Sequence, residues 1–151
     1  MRRSLTTLLI LLITIPIGLA VRYAPLHLPW VLSKYLGSFL WAVALYWFIA
    51  TLFPKLQPKA LAVIAAVAAL AVEFSRLVPQ PTVDAFRLTL AGQILLGRFF
   101  SFKNIAAYLL AIVTSALIDS RLRPGRAHSL TLSSYLRHPA SRAVSYPHPR
   151  E

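Results

Sequence analysis

Apolar positions in this chain gather into four runs, separated by charged or proline-rich breaks. Leu5 to Val21 lies between Arg2-Arg3 and Arg22. Leu36 to Phe53 carries no charge, and Ala60 to Leu77 follows a short turn in which Pro54 and Pro58 bracket Lys55. Ile105 to Ile118 is the shortest and would include Asn104 or Asp119 at its ends. A helix rises about 1.5 Å per residue, so a hydrocarbon core about 30 Å thick takes roughly 17 to 25 apolar residues to cross. The pattern predicts an all-α polytopic membrane helix bundle with spans at about 5–21, 36–53, 60–77 and 104–119. The first run also imitates a cleavable signal peptide, with Gly18 and Ala20 as its small pair. Its near-spanning length favours a retained span.

A fifth element lies between the last two runs. Pro79-Gln80-Pro81 breaks the third helix, and from Val83 to Phe100 apolar residues are interrupted by Asp84, Arg87, Thr89, Gln93 and Arg98, with Gly92 and Gly97 among them. The segment is too polar to span alone and too apolar for an exposed loop. It predicts one interfacial or re-entrant helix over about 83–100, packed against protein. Residues 1–119 then form the transmembrane bundle. Residues 120–151, rich in Arg, Ser and Pro, read as a disordered basic cytoplasmic tail near anionic headgroups.

Composition sharpens this picture. Only 13% of residues are charged and 58% are hydrophobic, whereas a soluble domain carries about 25% charged residues. The net charge of +12 sits in the termini and between the apolar runs. That placement suits membrane lipid better than a nucleic-acid groove, and no folded nucleic-acid module is visible. Arg2, Arg3, Lys55, Lys59 and the tail arginines put both termini in the cytoplasm by the positive-inside rule. Arg76, Arg87, Arg98 and Lys103 crowd the second outer loop against that rule. With no cysteine, disulfides and thiolate chemistry are excluded. His27 stands alone in its loop, so no metal or other cofactor is expected. Neither a nucleophile elbow nor a phosphate-binding glycine loop occurs.

Glu73 is the residue with the most chemistry. It is one of four acids in the chain and ends a charge-free stretch from Ala60 to Val72. Ala62, Ala66, Ala69, Glu73 and Arg76 share one face of an ideal helix. Small residues admit a neighbouring helix, so this face should point inward and carry Glu73 with it. Glu73 lies about 21 Å along the helix from Lys59 at about 1.5 Å per residue, in the outer part of the bilayer. An acid there marks a functional site by default, because hydrocarbon penalises it unless a partner or water meets it.

Two arrangements are open. Glu73 and Arg76 pair locally and merely hold the helix end, or Glu73 meets Arg87 across the loop and the two recognise a headgroup. An arginine fork suits phosphate or carboxylate. Asp84 and Arg87, also three apart, form a similar local pair. The candidate ligand-binding residues are Glu73, Arg76, Arg87 and Asn104, with Asp84, Thr89 and Tyr108 as structural polar positions.

Tyr35-Leu36-Gly37-Ser38-Phe39-Leu40-Trp41-Ala42, then Glu73-Phe74-Ser75, then Arg87-x-Thr89-x-x-Gly92 with Gly97, and finally Phe100 through Asn104 to Tyr108 follow one another along the chain. This order resembles the DUF2809 family of small bacterial integral membrane proteins, over roughly residues 30–119. It is similar, more distantly, to VanZ-like proteins, which are linked to glycopeptide resistance and the cell envelope. The resemblance implies a multi-pass protein of the bacterial inner membrane. The chain departs from the family pattern at Ser38, where Asp is usual, at Arg76, where Gln is usual, and at Asn104, where Asp is usual. Two carboxylates are lost and one cation is gained, which favours binding of an anionic group.

The leading functional expectation is therefore a non-catalytic envelope protein that binds a lipid headgroup or amphiphile. A membrane enzyme on a lipid-linked substrate is the alternative, with Glu73 as general base and Arg87 holding phosphate. It ranks lower because the chain offers no evident second carboxylate, metal set or activated nucleophile. A purely structural subunit, whose polar face serves helix packing, is the third reading.

Overall fold

The computed structural model describes residues 2–25, 27, 29–97 and 99–123. Arg98 and the tail at 124–151, including its arginines, lie outside these residues. Residues 1–121 form one compact unit, and the second, 122–151, falls almost wholly outside the described residues. The described elements are α1 (Arg2–Tyr23), α2 (Trp30–Leu52), α3 (Pro58–Phe74), α4 (Pro81–Leu88), α5 (Leu90–Leu95) and α6 (Phe102–Leu122), with a 3-10 turn at Ser75–Leu77. Among the described residues, four helices are long and apolar enough to cross a membrane: Arg3–Tyr23, Val31–Leu52, Pro58–Leu77 and Phe102–Leu122. The architecture is the expected all-helical one, compatible with a multi-pass membrane protein.

The helices outrun the apolar runs that nucleate them. Helix α2 begins at Trp30 and so includes Lys34, whose ammonium lies 5.6 Å from the Tyr35 ring centroid. A lysine stem can follow apolar surface while its charge stays at the interface. Helix α6 absorbs Ser120 to Leu122, residues the composition assigns to the tail. It carries Asp119 inside the bundle because Arg3 Nη2 and Tyr46 Oη donate to Asp119 Oδ2 at 3.2 and 3.0 Å.

The single interfacial helix expected over 83–100 is instead two short helices and an irregular segment. Thr89 makes the corner. Its hydroxyl donates to the Phe86 carbonyl at 2.7 Å and accepts from the Gly92 amide at 3.0 Å, so one side chain ends α4 and caps α5. Gly92 allows the corner to close, since a Cβ there would sit 1.9 Å from the Phe86 carbonyl oxygen. Gly97, with φ +67, then turns the chain toward α6.

Burial runs along helical stripes. Helix α3 turns Leu61, Ala65, Ala69 and Glu73 inward, while Ala62 and Ala66 sit at the stripe's edge. The expected face was thus displaced by about one residue, but Ala69 and Glu73 are on it. Trp47, Tyr46, Leu61 and Ile112 are the largest of the fully buried apolar side chains, and the Trp41 and Tyr108 rings pack tilted, 5.2 Å apart, to join α2 to α6. Ser33 Oγ donates to the Val21 carbonyl at 2.8 Å, tying the end of α1 to the start of α2. Outward, Val63, Val67, Leu110 and Leu117 are each 62–63% exposed. Aliphatic surface on that scale suits a lipid environment.

Candidate functional site

Glu73 is fully buried where the end of α3 meets the start of α6. Its Oε2 accepts from Arg76 Nη1. Its Oε1 accepts from the Ser101 amide at 2.7 Å and from Asn104 Nδ2 at 3.4 Å. Ser38 Oγ donates to Asn104 Oδ1 at 3.3 Å, which brings α2 into the same network. Arg76 extends it further: Nε donates to the Leu96 carbonyl at 2.6 Å, Nη1 to the Phe99 carbonyl at 3.1 Å, and Nη2 approaches Tyr108 Oη at 3.5 Å. One guanidinium therefore fastens the α5–α6 connection to a carboxylate that has left water. Gly97 is small for this reason as well, since a Cβ there would stand 2.6 Å from Arg76 Nη2.

Of the four candidate ligand-binding residues, the fold brings Glu73, Arg76 and Asn104 together, with Tyr108 beside them. Arg87 is elsewhere. Its Nη1 donates to Asp84 Oδ1 at 2.7 Å and its Nη2 to Ser75 Oγ at 2.9 Å, so the conceivable Glu73–Arg87 pair gives way to two local ones. The physical reason is reach along the helix: Arg76 and Asp84 are each three residues from their partners, within one helical turn. Asp84 Oδ2 also accepts from the Gln80 amide at 3.0 Å, closing the start of α4. Asp84 and Thr89 thus close the start of α4 and the α4–α5 corner.

Beside the Glu73 network lies a cavity of about 450 Å³ between α1, α2, α5 and the start of α6. Arg22, Lys34 and Arg76 line it together with Ser38, Asn104 and Tyr108, and its remaining wall includes Ile15, Leu19, Leu40 and Trp41. The carboxylate of Glu73 is screened from this space by the groups that bind it. The cavity is consequently amphipathic and cationic.

A family model for proteins of unknown function, DUF2809, matches residues 27–112, more than half of the chain. The chain belongs to the DUF2809 family. No solved structure matches it. The DUF2809 match contains α2 to α5, the first half of α6 and the whole Glu73 network, while α1 and Asp119 fall outside it. Ser38, Arg76 and Asn104, three positions singled out in the sequence, converge on the Glu73 carboxylate, Ser38 through Asn104.

Several site residues escaped the sequence reading. Arg22, Lys34 and Gly37 line the cavity because α1 and α2 pack side by side, which no local pattern reveals. Asp119 belongs to a second buried polar group with Tyr46 and Arg3, next to the Thr51–Thr7 hydroxyl contact at 3.0 Å. A signal for it existed. Asn104, Tyr108, Ala111, Ser115 and Asp119 recur every three or four residues, and all are buried on one face of α6.

Proposed function

We propose that the protein is a non-catalytic membrane protein that binds an amphiphile with an anionic head. The observation that carries this reading is the cavity's lining, with Arg22, Lys34 and Arg76 beside an aliphatic wall. Ligand sites combine a mostly apolar wall with a few placed polar groups, in volumes of about 300–1,000 Å³. A guanidinium and an ammonium beside low-dielectric surface favour phosphate or carboxylate. Glu73 serves this site by fixing Arg76 rather than by touching the ligand, Asn104 both holds Glu73 and lines the cavity, and Arg87 acts only in holding α4 against the 3-10 turn. The enzyme alternative loses support from the same geometry. Glu73 is buried with both oxygens engaged, and a general base needs access to the proton it removes.

The setting that fits this reading is the cytoplasmic membrane of a bacterial cell, both termini inside, with Arg22 and Lys34 at the outer face. An envelope role would follow from a ligand drawn from the outer leaflet. Native mass spectrometry of the full-length protein with its co-purifying lipids tests the proposal. An anionic amphiphile should accompany the wild type and be lost from Arg22→Gln/Lys34→Gln. Equal retention of neutral and anionic lipids by both proteins would overturn it.

A further inference from the structure

Resting on that reading, we infer that the cavity's occupant has a single chain, and that this chain lies against the bare backbone of α2 at Gly37. Gly37 is buried, yet a Cβ built on it would meet no atom within 4 Å. Buried glycines in membrane helices ordinarily let a neighbouring helix approach closely. Gly18, across the cavity on α1, is of that kind, since a Cβ there would contact Leu40 Cβ at 3.6 Å. At Gly37 nothing among the described residues fills the space. A glycine inside a helix is also unfavourable relative to alanine. The gap therefore has neither a packing nor a helix-propensity reason, and it opens into the cavity.

The order of lining residues gives the occupant's orientation. Arg22 and Lys34 stand at one end, Gly37 and Ser38 about one turn further in, and Thr14 and Ala44 at the other end. From Lys34 to Ala44 is about 15 Å along α2 at about 1.5 Å per residue, half of a core about 30 Å thick. The anionic head is held at the cationic end. Ser38 and Asn104, just beneath it, suit a linking ester or hydroxyl by hydrogen bonding, and the chain continues between Leu19, Leu40 and Trp41. A cavity of about 450 Å³ is at the size of a site for one small molecule, which leaves a second acyl chain outside. The ligand class is a single-chain anionic amphiphile, such as a lysophospholipid or a fatty acid.

The test titrates the full-length protein, in neutral detergent, with lysophosphatidylglycerol, diacyl phosphatidylglycerol and lysophosphatidylcholine, reading bound ligand by native mass spectrometry. Lysophosphatidylglycerol should bind at least tenfold more tightly than either of the others. Gly37→Leu should weaken it at least tenfold with no fall in melting temperature, whereas Gly37→Ala keeps most of the binding. Ala44→Leu, which blocks the far end, should reproduce the loss should Gly37→Leu fold poorly. Equal binding of the one-chain and two-chain phosphatidylglycerols, untouched by either blocking substitution, overturns this inference and leaves the anionic-amphiphile reading standing. Binding of lysophosphatidylcholine as tight as that of both anionic lipids overturns both.

Discussion

Arg76 and Glu73, three residues apart, form an ion pair closed off from water, the guanidinium 5% and the carboxylate 0% exposed. Breaking such a pair by removing one partner leaves an uncompensated buried charge, at a cost of about 3–5 kcal/mol. Glu73→Gln and Arg76→Gln should each destabilise on that scale. Arg76→Gln should be the worse, because Leu96 and Phe99 also lose their donor. The double variant should be less unstable than the sum of the two singles, since it removes both charges together. Unfolding in detergent followed by tryptophan fluorescence checks this, and strict additivity would contradict the pairing.

Arg87 gives the opposite expectation against Glu73. Its partners are Asp84 and Ser75, so Glu73→Gln and Arg87→Gln should combine additively to within about 0.5 kcal/mol. Coupling above 1 kcal/mol in the same unfolding assay would mean that the two charges meet after all.

Two glycines around this site should resist even alanine, for different reasons. Gly97 has φ +67, where a side chain costs about 1–2 kcal/mol, and its added methyl would press on Arg76. Gly92 would drive a Cβ into the Phe86 carbonyl, so Gly92→Ala should force α4 and α5 apart and cost at least as much. Melting temperatures of the two variants decide it. Wild-type stability in either would show that the corner is not built as described.

Helix α1 is held to the bundle at both ends, by Arg3 on Asp119 and Thr7 on Thr51 near its start and by Ser33 on the Val21 carbonyl near its finish. It also supplies a wall of the cavity. The purified protein should therefore keep α1, with an intact mass that includes residues 5–21. A mature chain beginning after Ala20 would show that the run is a cleaved leader and that the cavity lacks that wall.

The spans were legible because hydrocarbon thickness sets helix length and apolar runs report it directly. Glu73 was legible for the same reason, as a charge that hydrocarbon penalises. Its partner was not decided by sequence, because Arg76 and Arg87 both lie within reach and only the three-dimensional path of residues 78–101 separates them. The break at Thr89 depends on a hydroxyl that serves two helix ends, and on a close approach at Gly92 that spacing alone does not reveal. Asp119 was read as the end of a span, because Arg3, its partner, is 116 residues away. The cavity escaped altogether. Arg22, Gly37 and Trp41 become one wall only when α1 folds back on α2, and the absence of a neighbour at Gly37 is a property of the packed bundle.

Where the ligand sits is the most direct test of that cavity. A single-chain fatty acid carrying a photoactivatable group at its chain end, irradiated with the full-length protein in neutral nanodiscs, can be mapped by peptide sequencing. The label should fall within residues 14–19 and 37–44 and should disappear when lysophosphatidylglycerol is added in excess or when Gly37 is replaced by leucine. Labelling confined to the outward positions Val63, Val67, Leu110 and Leu117, unchanged by competitor or by Gly37→Leu, would contradict a ligand in the cavity.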